Sequence, residues 1–379
     1  MIIYFAMIIP VIFSIVLYFG WNRKVVWWEF FIPFVTSLIA IVISKYAIDG
    51  INTKDIEYWN SLVIEARYYE AWDEYISDTC TRTTTDADGN TTTETYDCSY
   101  VEDYPEYWMV ITNSNESIEV TEYTYNYLIK LFKEHPKFVD MHRPYHSYDG
   151  DMYYIKWNGN KDQAQPVATQ HIYTNKVQAA NDVFNFPEVD TSDISFYGLY
   201  EYPELKNNFN YTGLLGDASQ QVHYELAYWN GIIGPEKECR LWILLYKNKS
   251  IQSGILQEAL WKGGNKNEVV ITIGIDDSTK VQWCYPFTWS EVTGLKTDIK
   301  GIVGIGKELD LMTTIKSSTN LIRRKFTRKK FREFDYLTVE PPMWAVILVY
   351  VIVLLICIGV SFYVVNNEFE ERTYGRMYY

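Results

Sequence analysis

The sequence predicts an α/β (α+β) soluble domain with a layered sheet and helices, anchored by three transmembrane helices. Three apolar runs, at residues 2–19, 25–43 and 344–365, are each long enough to cross about 30 Å of hydrocarbon. Between the second and third runs, helix and strand patterns alternate along a more polar stretch. Such alternation is typical of layered α/β folds.

The first two apolar runs are expected to form an antiparallel hairpin, because only residues 20–24 separate them. A cleavable signal peptide is the alternative for the first run, although residues 1–7 carry no charge and no A-x-A motif follows. Arg23 and Lys24 would place the short loop in the cytoplasm and the domain outside. A second basic group before the third run would keep the domain in the cytoplasm, so both orientations stay open.

Positive charge is concentrated in one segment of an acidic chain. The net charge is −14, yet residues 321–334, here called the basic segment, contain seven basic residues and one acidic residue. The acidic remainder argues against nucleic-acid binding, which needs a basic surface. The basic segment is expected to contact anionic lipid headgroups, with a plain topology signal or a solvated helix face as the alternative. Its basic residues are Arg323, Arg324, Lys325, Arg328, Lys329, Lys330 and Arg332.

Two cysteines flank a predicted β-hairpin. Threonine-rich arms favour strands, and the Asp-Gly-Asn sequence around Gly89 favours a tight turn. Folding the arms symmetrically about Gly89 sets Cys80 opposite Cys98, at a separation that suits a disulfide. A disulfide would indicate an oxidising compartment and an extracytoplasmic domain. The alternative is a pair of reduced thiols in a cytoplasmic hairpin.

The first half of the domain is predicted to begin with a helix. Apolar residues at helical spacing from Ile56 to Tyr69 predict an amphipathic helix over residues 53–76. The elements expected after it are the cysteine hairpin, a strand at 108–112, a helix at 121–133, strands within 151–168 and an irregular aromatic-rich stretch at 175–216.

The second half has the clearest pattern. The run RLWILLY at 240–246 is typical of a buried strand. The elements expected around it are helices at 217–231 and 250–261, strands at 268–274 and 280–284, and one long helix at 290–316. His223, on the first of these helices, is interpreted as a partly buried structural residue. The α-β-α-β-β-α order predicts a layered sandwich.

Two stretches resemble known families. LWILLYKNKSIQSGILQEALWKGGNKNEVVITIGIDDSTKVQW, within residues 217–300, resembles the TPM domain of membrane-tethered bacterial and plastid proteins. This resemblance implies a domain outside the cytoplasm beside a transmembrane helix and, as for some TPM-like domains, an acid phosphatase activity. EARYYEAWDEYISDTCTRT, with the later WKGGNKNE, resembles uncharacterised membrane proteins carried by tailed phages and some bacteria. That resemblance names no activity.

One acidic and histidine-containing stretch has the chemistry of metal ligands. Asp140, His142, His146, Asp149 and Asp151 fall within twelve residues, and imidazoles and carboxylates bind divalent metals. A proline between the two histidines excludes a regular helix and favours an exposed loop instead.

Asp276 and Asp277 lie at the tip of the hairpin predicted between the strands at 268–274 and 280–284. They are candidate ligands for Ca²⁺ or another divalent metal, with plain turn formation as the alternative. No other cofactor is expected. Residues 301–307 match G-x-x-x-x-G-K, but Glu308 stands where a P-loop needs Ser or Thr, so the pattern is rejected.

The expected function is that of a membrane-anchored binding or scaffold protein in the cytoplasmic membrane of a bacterial host, with the lipid bilayer and envelope proteins as partners. As a phage protein, it would act on the envelope of the infected host. The alternatives are a membrane-bound, metal-dependent hydrolase of the phosphatase type using Asp276 and Asp277, and a cytoplasm-facing organiser held by the basic segment. The expected segments are a transmembrane hairpin at 1–47, a Tyr-rich α+β region at 48–216, a TPM-like region at 217–320, a basic juxtamembrane segment at 321–341, a transmembrane helix at 342–366 and a tail at 367–379.

Overall fold

The computed structural model describes residues 2–20, 31–85, 88–141, 150–179, 186–210, 212–292 and 294–367. The chain is α+β and forms two compact units. The first unit comprises Met1–Ile56, Ile172–Phe186 and Lys330–Tyr379, and the second comprises Glu57–His171 and Pro187–Lys329.

Helices occur in both units. In chain order they are α1 (Ile8–Gly20), α2 (Phe31–Asn52), α3 (Glu122–Phe132), α4 (Lys176–Ala179), α5 (Thr191–Tyr197), α6 (Gln220–Lys237), α7 (Gln252–Leu260), α8 (Leu295–Val303), α9 (Leu311–Lys325) and α10 (Met343–Asn367). Short 3₁₀ helices lie at Ile2–Met7, Lys161–Gln163 and Phe331–Phe334.

Strands form several sheets. In chain order they are β1 (Lys54–Tyr69), β2 (Trp72–Ile76), β3 (Thr79–Thr85), β4 (Thr91–Asp97), β5 (Tyr100–Tyr104), β6 (Tyr107–Thr112), β7 (Ser117–Val120), β8 (Lys137–Val139), β9 (Met152–Lys156), β10 (Pro166–Thr174), β11 (Leu214–Leu215), β12 (Arg240–Lys247), β13 (Glu268–Ile275) and β14 (Val281–Thr288).

The first unit contains two helices long and apolar enough to cross a membrane, Phe31–Asn52 and Met343–Tyr363. Among the described residues there are two such helices, so the prediction of three is wrong. In the first apolar run, Ile2–Val16 counts as a shorter apolar helical stretch and is not one of the two candidate spans. The two candidate spans are consistent with membrane association. Arg23 and Lys24, on which the outward orientation depends, lie outside the described residues.

The larger sheet of the second unit has the order β7-β6-β1-β9-β8, and β10 also pairs with β1. Its central strand β1 occupies most of residues 53–76, so the helix predicted there is wrong. β1 is hydrogen-bonded to β6 on one side and to β9 on the other. Because β1 is buried on both faces, its sequence lacks the alternation of polar and apolar residues that marks a half-buried strand. The apolar residues of β1 fall at helical spacing by chance. The predicted strand at 108–112 and helix at 121–133 are confirmed as β6 and α3.

β1 and β6 continue into a long antiparallel ribbon, residues 72–104. One register runs without a shift from Tyr69↔Tyr107 through Trp72↔Tyr104 to Thr79↔Asp97. The ribbon therefore consists of the β2/β5 ladder followed by the β3/β4 ladder, and its side chains are mostly exposed.

The predicted pairing of Cys80 with Cys98 is confirmed, but the predicted register is wrong. The two residues form a disulfide bond, with their Cα atoms 5.8 Å apart. Cys80 lies opposite Tyr96, so the ribbon folds about residue 88 and not about Gly89. The register of the ribbon is set by the β1/β6 ladder from which it continues. The turn sequence around Gly89 does not record that ladder, so it could not predict the register.

The second sheet has the order β11-β12-β13-β14, in which the first three strands are parallel and β14 is antiparallel. One face packs against apolar residues of α6, α8 and α9, and the other bears an aromatic cluster that includes Trp242, Trp261 and Trp283. The single helix predicted at 290–316 is wrong. Gly304, with φ of 71°, ends α8 in the left-handed conformation, and Asp310 caps the separate helix α9.

Candidate functional site

The second unit contains a polar cavity of about 310 Å³, near the lower end of the range of about 300–1,000 Å³ typical of ligand sites. We call it the amide-lined cavity because carboxamide side chains come to it from β1, from the turn before β10, from residues 208–210 and from α6. These side chains are Asn60, Gln165, Asn208, Asn210 and Gln220.

Close packing of α6 onto β1 shapes one wall of the cavity. Gly231 and Gly234 face β1, and a Cβ atom at Gly234 would clash with the carbonyl oxygen of Asn60. Asn113 Nδ2 donates to the Gly231 carbonyl at 3.0 Å. The helix therefore lies closer to the strand than any larger side chain would allow.

Asn60 is the most informative residue of the lining. Its side chain is 1 % exposed, and its Oδ1 is a buried acceptor with no hydrogen-bond partner among the described residues. Leaving such a group unsatisfied costs about 1–3 kcal/mol. Asn60 is also a lining residue of the cavity, and a hydroxyl or N–H donor of a ligand reaches this buried oxygen once the Asn60 side chain turns towards the cavity.

Two neighbouring residues of α6 are held in place by hydrogen bonds. Thr212 Oγ1 lies 2.9 Å from His223 Nδ1 and also accepts the Leu214 N–H at 3.2 Å. The Tyr224 hydroxyl lies within hydrogen-bond distance of the Lys161 and Ala164 carbonyls, at 2.6 and 2.9 Å. Burial raises the pKa of Tyr224 to about 12, so its phenol stays neutral at physiological pH. The cavity therefore presents an imidazole and a phenol in fixed positions.

The described lining carries little charge. Asp162 is its one charged side chain, and it is exposed. The neighbouring Lys161 is bound to both carboxylate oxygens of Glu225, at 2.7 and 2.5 Å. The cavity thus offers mainly neutral donors and acceptors, which suit the binding of a neutral polar molecule.

A separate cluster of buried charges surrounds Glu57, which is 2 % exposed. Arg328 and Lys266 pair with its carboxylate, and Arg328 also pairs with Glu238. Burial raises the pKa of Glu57, and the charges of Arg328 and Lys266 oppose that rise. The Arg328 guanidinium lies 5.4 Å from the centre of the Trp59 ring. This cluster ties the basic segment to the start of β1.

Most of the proposed lipid-contacting residues are engaged within the chain. Arg324 donates to the Asn320 carbonyl at 3.3 Å, and four other basic residues form ion pairs. A basic side chain that is already paired with a carboxylate binds an anionic headgroup less strongly. Lipid contact stays a prediction for all seven basic residues: Arg323, Arg324, Lys325, Arg328, Lys329, Lys330 and Arg332. The ion pairs are Arg323–Glu236, Lys325–Asp298, Arg328–Glu57 and Lys329–Glu291.

Asp276 and Asp277 lie in the turn between β13 and β14, at the predicted hairpin tip. Asp276 Oδ1 accepts the N–H and the hydroxyl of Ser278 at 2.9 and 2.8 Å, and Asp277 Oδ1 accepts Asn248 Nδ2 at 3.0 Å. The hydrogen bonds from Ser278 and Asn248 lower the pKa of the two carboxyl groups. Both side chains therefore stabilise the turn through hydrogen bonds. A metal site at this tip stays a prediction.

The other predicted metal ligands, His142 and His146 together with Asp149, lie outside the described residues. Within the described part of the chain, Asp78, Cys80 and Cys98 form the one group of three potential metal ligands that lie close together. The two thiols of that group are joined in the disulfide, so they are not free to bind a metal.

Sequence reasoning missed the amide-lined cavity. No motif marks Asn60 or Tyr224, and His223, interpreted from the sequence as a structural helix residue, lies in the lining. The one available signal was the pair Gly231 and Gly234, whose spacing on a helix allows close packing.

No family model, no curated protein and no solved structure matches the chain. The resemblances to the TPM domain and to phage membrane proteins therefore stay predictions, and the function must be inferred from the cavity itself.

Proposed function

We propose that the chain is a membrane-anchored binding protein that displays its second unit outside the cytoplasm and binds a small polar ligand in the amide-lined cavity. The observation that carries the proposal is the buried, unsatisfied Oδ1 of Asn60 in the lining. Buried polar atoms are nearly always paired in folded proteins, and a ligand that brings a donor into the cavity would complete the hydrogen bonding of Asn60.

The membrane part of the proposal is supported by two candidate spanning helices, one near each end of the chain. The outward orientation is supported by the disulfide between Cys80 and Cys98, because disulfides persist in oxidising compartments and are rare in the cytoplasm. At the outer face of the cytoplasmic membrane, a bacterial envelope provides both a bilayer for the two helices and an oxidising compartment for the disulfide.

The cavity is tested by a thermal-shift screen of the full chain in nanodiscs with small neutral probes: monosaccharides, disaccharides, blocked amino acids and blocked dipeptides. A ligand at 100 times its dissociation constant adds about 2.7 kcal/mol to the free energy of unfolding. We therefore expect at least one probe to raise the Tm of the native chain by several degrees.

Ala227→Phe is the variant that assigns the effect to the cavity, because Ala227 lines it and a phenyl ring would fill part of its volume. Gln221→Phe is the matched control, since Gln221 lies on the same helix with an exposed side chain. The shift should disappear in Ala227→Phe and persist in Gln221→Phe. A native chain that no probe stabilises, or a shift that survives Ala227→Phe, would contradict the proposal.

A further inference from the structure

We propose that the ligand of the amide-lined cavity is a neutral carbohydrate, held through its hydroxyl groups. This inference rests on the proposed binding function and adds the chemical class of the ligand. Three properties of the cavity carry it: the charge of its lining, the hydrogen-bonding capacity of its side chains, and the engagement of its backbone.

The charge of the lining argues against anionic ligands. The lining of the described part includes the carboxylate of Asp162 and no lysine or arginine side chain. Two cations lie beside the lining: Lys161 is held by Glu225 and lies over the ring of Tyr228, 5.0 Å from its centre, and the buried guanidinium of Arg240 donates to the Thr212 carbonyl at 2.9 Å. Phosphates, uronic acids and other acidic molecules would therefore meet the carboxylate of Asp162 and no lysine or arginine side chain in the described lining itself.

The hydrogen-bonding capacity of the lining matches hydroxyl groups. Each carboxamide has donor and acceptor groups, and so does a sugar hydroxyl. Gln165 Nε2 and Asn208 Nδ2 each already donate one hydrogen bond, to the Pro166 and Ala168 carbonyls. Asn60 Oδ1 needs a donor, which a hydroxyl supplies and a phosphate or carboxylate oxygen does not. The rings of Tyr127, Phe209 and Tyr224 add flat apolar surface beside the amides, as the C–H face of a pyranose requires.

The backbone around the cavity argues against an extended peptide, which binds by pairing with free backbone groups. Several carbonyl groups of the wall are already engaged. Gln165 O accepts Val63 N–H at 2.9 Å, and Asn208 O accepts Ala168 N–H at 2.8 Å. Recognition is thus left to side chains, which favours a compact polyol over a strand of peptide.

The test measures Tm and dissociation constants of the full chain in nanodiscs with three sets of probes. The first contains neutral sugars, namely glucose, galactose, N-acetylglucosamine and their disaccharides. The second contains the acidic sugars glucuronate and sialic acid, and the third contains N-acetylated dipeptide amides. We expect at least one neutral sugar to bind and stabilise the chain, and the acidic sugars and blocked dipeptides to bind at least tenfold more weakly.

Asn60→Leu isolates the role of the unsatisfied oxygen. The substitution keeps a similar volume and removes a buried polar group, so the Tm without sugar should not fall, whereas the sugar affinity should fall at least tenfold. Phe209→Leu provides a second variant that keeps an apolar side chain and removes the ring, and it too should lose at least tenfold in affinity.

The outcomes separate this inference from the function beneath it. If blocked dipeptides or acidic sugars bind through the cavity and neutral sugars do not, the carbohydrate class is wrong and the binding function survives. If sugar affinity is unchanged in both Asn60→Leu and Phe209→Leu, the sugar binds elsewhere and the inference is overturned. If no probe binds, the proposed function falls as well.

Discussion

The half-buried His171 makes the stability of the second unit depend on pH. Its ring stacks on Trp59 with centroids 3.4 Å apart, and its Nε2 lies 2.9 Å from Thr169 Oγ1 and 3.3 Å from Glu116 Oε1. Burial lowers the pKa of His171 below its ordinary value of 6.5, Glu116 opposes this, and Arg328 adds to it. The folded chain therefore favours the neutral imidazole.

This shift predicts a loss of stability in mild acid. Because the folded pKa lies below the unfolded one, the contribution of His171 is fully present above about pH 6.5 and is lost as the pH falls towards the folded pKa. His171→Gln should flatten the dependence of the free energy of unfolding on pH between 7 and 5. Denaturant titrations at several pH values measure it, with His135→Gln, an exposed histidine, as the control. Equal slopes for native chain and His171→Gln would contradict the assignment.

Gly234 predicts a second residue-level effect. A Cβ atom there would meet the Asn60 carbonyl of β1, whereas one at Gly301 in α8 would meet nothing within 4 Å. We expect Gly234→Ala to destabilise the chain by about 3 kcal/mol through overpacking, and Gly301→Ala to stabilise it by up to about 1 kcal/mol through helix propensity. Chemical denaturation measures both. Similar small effects of the two substitutions would show that α6 does not press on β1.

Residues whose partners are close in the sequence could be predicted, and residues whose partners are far along the chain could not. The pairing of Cys80 with Cys98 could be predicted, because the two residues flank a short threonine-rich hairpin. Asn60 gives no signal, since its burial depends on α6, which lies more than 150 residues further along the chain. The cavity is assembled from segments that only tertiary structure brings together, and a single sequence does not record such pairings.

At the scale of elements, the ribbon of residues 72–104 stands out because it has ladders but few buried side chains. An isolated two-stranded ribbon is marginally stable in water, and the disulfide closes a loop with a sequence separation of 18 residues. The disulfide is therefore the main restraint on the outer β3/β4 ladder, which has no apolar core of its own.

Removing the disulfide should destabilise the ribbon of residues 72–104 and leave the stability of the core sheets unchanged. A loop of this size predicts a stabilisation of about 3 kcal/mol, so amide exchange in β3 and β4 should accelerate about 100-fold in Cys80→Ser/Cys98→Ser. Exchange in the core strands β12 and β13 should stay unchanged and serves as the internal control. Hydrogen exchange with mass spectrometry measures both, and unchanged exchange in β3 and β4 would count against the restraint.

Elements were predictable where local pattern and tertiary role agree. β12 and β13 are buried strands with continuous apolar runs, and α3 has a Thr121 cap with clear helical spacing. β1 misled the pattern because its central place in a sheet buries both faces. The break between α8 and α9 depends on the left-handed backbone at Gly304, which the continuing apolar spacing concealed.

At the scale of the whole molecule, membrane attachment follows from composition, whereas its details do not. Apolar runs near both ends of the chain were evident from the sequence, and two of them form helices long enough to span a membrane. The α+β class of the chain was also predictable from the alternation of patterns. Orientation was not, because the two basic groups of the sequence point to opposite sides.

Labelling with a membrane-impermeant maleimide tests the display of the second unit most directly. Cys239, Cys284 and Cys357 are buried in the folded chain, so labelling without denaturant reports on Cys80 and Cys98. In intact cells that express the full chain, we predict no labelling at first and clear labelling of this pair after treatment with an impermeant reductant. Labelling that needs no reductant and appears only after the membrane is permeabilised would place the reduced pair in the cytoplasm and contradict the outward display.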